Sequence, residues 1–420
     1  MTPRELLLAS FRAAVAAADP ARMVPPYLPP PPRGRTLVLG GGKAAASMAS
    51  AVEAHWPADA PLAGLVVTRY QHNRPTHRIE VVEASHPLPD GRGEAAALRM
   101  LDMAAQLGED DLLLALISGG GSSLLAAPVE GVTLKELRQV TKALLHAGAS
   151  IHDINTVRKH LTRLSGGRLA QAAGQARGRV LMISDVAGDD PSMIASGPCM
   201  ADHTTCSEAL ERLDHYCISL PNGVRRYLEA CVSDSRLDTP KPGDPGFAHL
   251  EHHVIACASD SLAAAARFFE RHGIQALVLS DRISGNAQEA AAHHAALVRS
   301  CRVARPLALL SGGETTVTLP PRHGRGGRNT EYLLALGLML DKPTWAMACD
   351  TDGIDGSEDN AGAILAPDTF SRARDLDMDA ASMLAAHDSY HFFAGIGDLV
   401  VTGPTRTNVN DYRVILLGMN

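Results

Sequence analysis

Three times in this chain an apolar run ends in a tight cluster of glycines: TLVLGGGKAAASMA (36–49), LLLALISGGGSSLLAA (112–127) and LALLSGGETTV (307–317). Each reads as a buried strand running straight into a turn. Glycine lets backbone approach a ligand closely and point several N–H groups at it. A helix that starts there adds partial positive charge. A sequence patterned this way is confined to α/β architecture, with its ligands at the carboxyl ends of the strands. Three such turns, the first carrying Lys43, point to a phosphorylated or carboxylated small molecule.

Strand and helix patterns alternate through the first half. Strands are expected near 35–39, 64–68, 78–83, 111–117 and 178–183, with helices near 43–55, 91–106, 133–147 and 165–174. Continuous apolar strands such as DLLLALIS suit a parallel sheet buried on both faces. At 420 residues the chain exceeds one ordinary core, so two domains are expected. The segment 233–251, rich in Pro, Gly and charge, reads as the boundary. Strands HHVIACAS, QALVLS, PLALLSGGETTVTL and TWAMAC then alternate with helices at 260–272, 286–300 and 328–340, a second α/β unit with mixed sheet content near its end. The expected domains are 1–236 and 237–420, with the three glycine turns meeting in a cleft between them.

Composition excludes several functions. The net charge of −7 is dispersed along the chain and argues against a nucleic-acid surface. No uninterrupted apolar run approaches the ~20 residues of a membrane span. The first residues, MTPRELLLASFRAAVAAA, read as an amphipathic helix rather than a signal peptide. The seven cysteines form no CxxC pair, and reduced thiols in a cytoplasmic protein are expected. With no HExxH and no Cys/His spacing, a structural zinc is set aside.

Gly40, Gly42 and Ala45 fit the dinucleotide pattern G-x-G-x-x-A after a strand. The position after GLVVT, where NAD asks for an acid, reads Thr68-Arg69, and a Walker A loop does not thread. In SGGGSS, Ser118, Ser122 and Ser123 surround Gly119, Gly120 and Gly121 and offer hydroxyls and amides to phosphate or carboxylate oxygens. The second glycine of G-x-S-x-G is missing, which disfavours a nucleophilic serine. Asp185, Asp189 and Asp190 follow a buried strand and form a candidate Mg²⁺ platform, since hard cations take oxygen ligands. In RHGRGGRNTEY (322–332), Arg328 lies at the expected helix start and presents a planar fork for phosphate or carboxylate. Asp350, Asp352 and Asp355 shape a polar loop, as do Thr402, Thr405, Thr407 and Asn408.

Taken together, GGGKAA, SHPLPD, SGGGSS, INTVRKHLTRLSGGRLA, SDVAGDDPSMIASGP, SGGET, GRGGRNTEYLL, DTDGIDG with DNAG, and TGPTRTNVND follow in this order from about residue 5 to 417. The chain resembles the glycerate 2-kinase family, whose C-terminal region is the MOFRL domain (here about 305–413) and whose members are often labelled hydroxypyruvate reductases. The resemblance implies a Rossmann-like N-terminal domain with a parallel sheet covered by helices, a smaller α/β C-terminal domain, and an active site in the interdomain cleft. It implies ATP-dependent phosphorylation of D-glycerate at the C2 hydroxyl with Mg²⁺, in a cytoplasmic monomer or homodimer. It also implies that Lys43 and Arg328 matter for catalysis.

On that basis Lys43 and Arg328 are expected to neutralise the transferring phosphoryl group, with Mg²⁺ on Asp185, Asp189 and Asp190. Phosphate and carboxylate oxygens are expected on Gly41, Gly42, Ser118, Gly119, Gly120, Gly121, Ser122, Ser123, Gly312, Gly313, Glu314, Thr315 and Asn329, with Asp352, Thr405 and Asn408 beside them. Arg158, near Asn155, is the candidate for the glycerate carboxylate, and Asp189 or His86 for the base. Two alternatives remain: an NADPH-dependent hydroxypyruvate reductase drawing on G-x-G-x-x-A and Arg69, and a non-catalytic binding protein on the same scaffold.

Overall fold

The computed structural model describes residues 1–302 and 304–419. Its backbone forms two compact units, Pro20–Ile255 and Met1–Asp19 with Ala256–Asn420. These divide the chain elsewhere than at 236/237, and packing of two particular segments explains why.

The first unit is built on a sheet of β1 (Thr36–Gly41), β2 (Leu62–Arg69), β3 (Ile79–Ala84), β4 (Leu112–Ser118), β5 (Arg177–Ile183) and β6 (Leu250–Ala256), in the order β3-β2-β1-β4-β5-β6. The pairs β1–β2, β2–β3, β1–β4 and β4–β5 are parallel. This is the Rossmann-type order expected of the doubly wound class. Every residue of β1 and β4 is buried, as helices on both sides of the sheet require. Alternate residues Leu37, Leu39, Leu113, Ala115 and Ile117 pack with Ala96, Ala97 and Met100 of the helix Gly91–Ala104. A further layer comprises the helices Leu134–His146, Ile151–Leu161, Cys206–His215 and Asn222–Ser233, which share a core of Val140, Leu144, Val157, Leu213 and Leu228. Thr133 with Glu136 and Thr205 with Glu208 form capping boxes that start two of them.

HHVIACAS, expected to open the second unit, instead closes the sheet of the first as β6. Gly178 N–H donates to His249 O at 3.0 Å, and His252 Nε2 meets Cys199 O at 2.9 Å. The cysteine reading also needs correction: Cys206 and Cys231 form a disulfide, their Cα atoms 6.1 Å apart, and five cysteines are free. The sequence separation of 25 carries no signal for that pairing, which arises where two helices of the outer layer meet.

The second unit holds β7 (Gln275–Ile283), β8 (Leu307–Gly313), β9 (Trp345–Asp350), β10 (Gly362–Leu365), β11 (Leu399–Val400) and β12 (Asp411–Leu417), ordered β11-β10-β9-β12-β8-β7. Only β7–β8 is parallel; the other pairs are antiparallel, so the sheet is mixed as expected. The last strand, β12, sits in the middle and is wholly buried. The N-terminal helix Pro3–Ala17 belongs here. Leu6, Leu7 and Phe11 pack with Phe269 and Tyr412, and Tyr412 Oη donates to Ser10 Oγ at 2.8 Å. Its apolar stripe is covered by residues roughly 260 to 400 positions away, which no local pattern announces. Among the described residues no helix is long and apolar enough to cross a membrane.

Candidate active site

The strand order reverses direction between β1 and β4, and open α/β sheets bind ligands at that crevice. GGGK and SGGG are the two turns leaving it. Lys43 N–H donates to Gly119 O at 2.9 Å and Ala44 N–H to Ser118 Oγ at 3.0 Å, so the turns are laced together. Gly42 has φ +139°, and a Cβ there would lie 2.1 Å from Ser118 Oγ. Gly120 has φ +79°; its Cβ would lie 3.0 Å from His86 Cδ2 and 3.4 Å from Lys43 Cγ. A single bare backbone position therefore lies against both Lys43, half-buried, and His86.

The serines are less free than expected. Ser118 Oγ accepts from Ala44, and Ser123 Oγ donates to Gly120 O at 3.1 Å. Ser122 Oγ lies 2.8 Å from Ser196 Oγ, which itself donates to Asn155 Oδ1 at 3.0 Å. Because Ser196 spends its proton on Asn155, Ser122 is the donor between the two. All three hydroxyls thus have partners inside the protein and shape the turns. Ser196 and its neighbour Ala195 adopt φ 60° and 51°, left-handed backbone that non-glycine residues rarely hold.

Arg158 lies one turn after Asn155 in the helix Ile151–Leu161. Burial alone pushes its guanidinium down to about 10. Among the described residues its side chain makes no ion pair or hydrogen bond, although such a cation normally requires a partner. A carboxylate ligand would supply one.

Asp185 lies two residues beyond β5, and Asp189 and Asp190 lie in the next turn. Asp190 Oδ1 accepts from Ser192 N–H at 2.9 Å, and Asp189 has φ 57°. The three carboxylates do not converge. Among the described residues, the one trio with ligating atoms within 4.8 Å of each other is His160, Cys206 and Asp238. Mg²⁺ keeps several waters and takes one or two carboxylates, so Asp189 and Asp190 suit it without a preformed cage.

In the second unit, the helix Arg328–Met339 begins at the arginine that the sequence singled out. Arg328 Nε bonds Asp411 Oδ1 at 2.8 Å, Nη1 bonds Glu314 Oε1 at 2.8 Å and Nη2 bonds Asp350 Oδ2 at 2.7 Å. Burial works against its charge, but Asp411, Glu314 and Asp350 outweigh that and hold it well above the ordinary range. Asp411 also pairs with Arg413, which bonds Gly312 O and Thr315 Oγ1. Asp355, fully buried, caps the helix by accepting the N–H groups of Asn329 and Thr330, both at 2.9 Å; burial raises its pKa. A cavity of about 310 Å³ opens beside this cluster, lined by Glu314, Thr315, Gly327, Arg328, Glu331 and His387.

Gly313, at φ +99°, lets β8 pass against Ile283 of β7. Asp352 Oδ1 accepts from Ile354 N–H at 2.8 Å, Thr405 Oγ1 donates to Thr351 O, and Asn408 Oδ1 accepts from Asn410 N–H at 3.4 Å. These three brace their loops.

Ser196, Asp411 and Arg413 were missed. Asp411 and Arg413 are two apart in a strand and therefore share a face, a pattern readable in NDYRVILL. Ser196 had no signal, because its partners come from two other segments.

A core of parallel strand pairs with a lysine-bearing glycine turn at its switch point, followed in the chain by a mixed-sheet unit carrying an arginine among carboxylates, defines a two-unit α/β protein fitted to anionic small molecules. Residues 6–229 match a domain family of unknown function, DUF4147, and residues 307–411 match the MOFRL family. A relative from Agrobacterium vitis, named "Putative hydroxypyruvate reductase", is 50% identical, covering 100% of this chain and 95% of its own. The glycerate 2-kinase of Pyrococcus horikoshii is 37% identical over 91% of this chain and 88% of its own. The crystal structure of glycerate kinase from Thermotoga maritima superimposes with a TM-score of 0.85 at 34% identity, covering 98% of this chain and 99% of that one. The chain belongs to the glycerate 2-kinase family.

Proposed function

We propose that this protein transfers the γ-phosphoryl group of ATP to the C2 hydroxyl of D-glycerate, giving 2-phosphoglycerate and ADP. The observation that carries this reading is Lys43 at the switch point, held by two interlaced glycine turns beside His86. Phosphoryl transfer asks a protein for positioning and charge neutralisation more than for covalent chemistry. Lys43 supplies a point charge next to exposed backbone. Arg158, unpaired and half-buried, takes the glycerate carboxylate and so fixes which hydroxyl faces the phosphate.

Arg328 is the second neutralising group. Its three carboxylates already exceed its charge, so one must give way. Glu314 is that partner: its side chain is 52% exposed, against 3% for Asp350 and 0% for Asp411. Giving up an exposed pair costs about 0–1 kcal/mol. Asp189 and Asp190 would hold Mg²⁺, which would screen the phosphate charge. His86 or Asp189 receives the hydroxyl proton.

The test is an enolase-coupled assay with purified protein, ATP, Mg²⁺ and D-glycerate, and no phosphoglycerate mutase. Phosphoenolpyruvate formation supports both the kinase activity and transfer to C2. No signal, with NADPH oxidised on hydroxypyruvate, would overturn the reading in favour of the name carried by the Agrobacterium relative. Ligand binding without either turnover would mark a non-catalytic binding protein.

A further inference from the structure

The cluster of His160, Cys206 and Asp238 lies in the outer helical layer and has no part in the chemistry above. His160 is fully buried. Its Nδ1 meets Thr156 O at 2.7 Å, which makes Nδ1 the donor and turns Nε2 towards Asp238. That Nε2 lies 3.0 Å from Asp238 Oδ1, a contact that either a second ring proton or a bound cation satisfies. Cys206 Sγ lies 3.7 Å from the same Oδ1, and Cys231 is covalently joined to that sulfur.

We propose that the reduced form of this protein binds one zinc ion through Cys206, Cys231, His160 and Asp238. A tetrahedral site with Zn–S near 2.3 Å and Zn–N near 2.0 Å spaces its donors about 3.3–3.8 Å apart. The mutual distances within the trio, all inside 4.8 Å, need little adjustment to reach that. The Nδ1–carbonyl hydrogen bond is the outer contact that fixes the ring of a metal-bound histidine.

Charge supports the exchange. Asp238 is paired with Lys241 at 3.1 Å and Asp202 with Lys159 at 3.2 Å, so each carboxylate already has a lysine beside it. Replacing the disulfide by two thiolates and one Zn²⁺ leaves the local charge unchanged, which a buried site requires. A dithiol reductant drives the change. Two electrons and two protons convert the disulfide to two thiols, the reductant leaves as its own disulfide, and zinc sends both thiol protons to solvent. The same two cysteines thus form a covalent staple when oxidised and a metal site when reduced. The inference is independent of the kinase reading.

The experiment compares full-length protein, reduced with dithiothreitol or left oxidised, after incubation with Zn²⁺ and gel filtration. Native mass spectrometry should show one zinc, less two protons, on the reduced protein and none on the oxidised protein. Co²⁺ in place of zinc should give thiolate-to-metal charge-transfer absorption. His160→Gln should weaken zinc at least about tenfold, and Cys206→Ser should lose it, whereas Cys217→Ser, altering an exposed thiol, should keep it. Reduced wild-type protein without zinc would overturn the proposal whether or not the variants fold. So would zinc retained by Cys206→Ser, or lost with Cys217→Ser.

Discussion

Arg328 Nε donates to Asp411 Oδ1 at 2.8 Å, joining the first residue of a helix to the first residue of the central strand β12. Asp411 is fully buried and depends on Arg328 and Arg413 for compensation. Arg328→Lys keeps the charge but cannot reach three carboxylates at once. It should lower kcat by about 10²–10³ and, by leaving buried carboxylates short of a partner, destabilise by about 3 kcal/mol. Steady-state kinetics and chemical denaturation measure both. Wild-type turnover would remove Arg328 from the reaction.

Gly120→Ala tests the bare backbone between Lys43 and His86. A side chain at φ +79° costs about 1–2 kcal/mol, and the new Cβ would press on His86 at 3.0 Å. Turnover should fall far more than stability accounts for, with melting temperature and kcat followed in parallel. A stable, fully active variant would show that nothing approaches this turn.

Arg158→Met should raise KM for glycerate with little change in KM for ATP, because the guanidinium is assigned to the carboxylate alone. Removing an unpaired, half-buried cation should leave stability unchanged or increase it. Equal effects on both substrates would break the assignment.

Asp189→Asn retains a residue that tolerates the left-handed conformation at φ 57° and removes only the negative charge. It should raise the Mg²⁺ concentration needed for half-maximal activity, and chelation by EDTA should abolish wild-type turnover until Mg²⁺ is restored. An unaltered Mg²⁺ dependence would place the ion elsewhere.

His294 tests pH linkage in the second unit. Burial first, then Arg413 and His293, push it down to about 4, and its Nδ1 accepts from Tyr332 Oη at 2.6 Å. The unfolded chain, titrating near 6.5, binds the proton first as pH falls. Stability contributed by this site is therefore whole above about pH 6.5 and declines towards pH 4, by on the order of 3 kcal/mol. Denaturation across that range should be flatter for His294→Gln.

Much of this was legible. The runs before GGGK, SGGG and SGGET are too apolar to lie anywhere but inside a sheet, so their glycines had to emerge at strand ends. Lys43 and Arg328 stood at turn and helix start as expected. Two expectations failed for related reasons. HHVIACAS has the same apolar pattern whichever sheet it joins, and it joined the first. The cysteine count could not show that two helices of the outer layer bring Cys206 against Cys231.

The chain's local patterns determined the elements, their buried faces and the residue types offered at each turn, because 2.0 and 3.6 residue periods are written in neighbouring positions. Tertiary structure decided which strand lies beside which, that the first helix packs on the last strand, and that Ser196 links Ser122 to Asn155. Those pairings follow from burying long-range surfaces against one another, and a periodic face specifies that it must be covered without specifying by what.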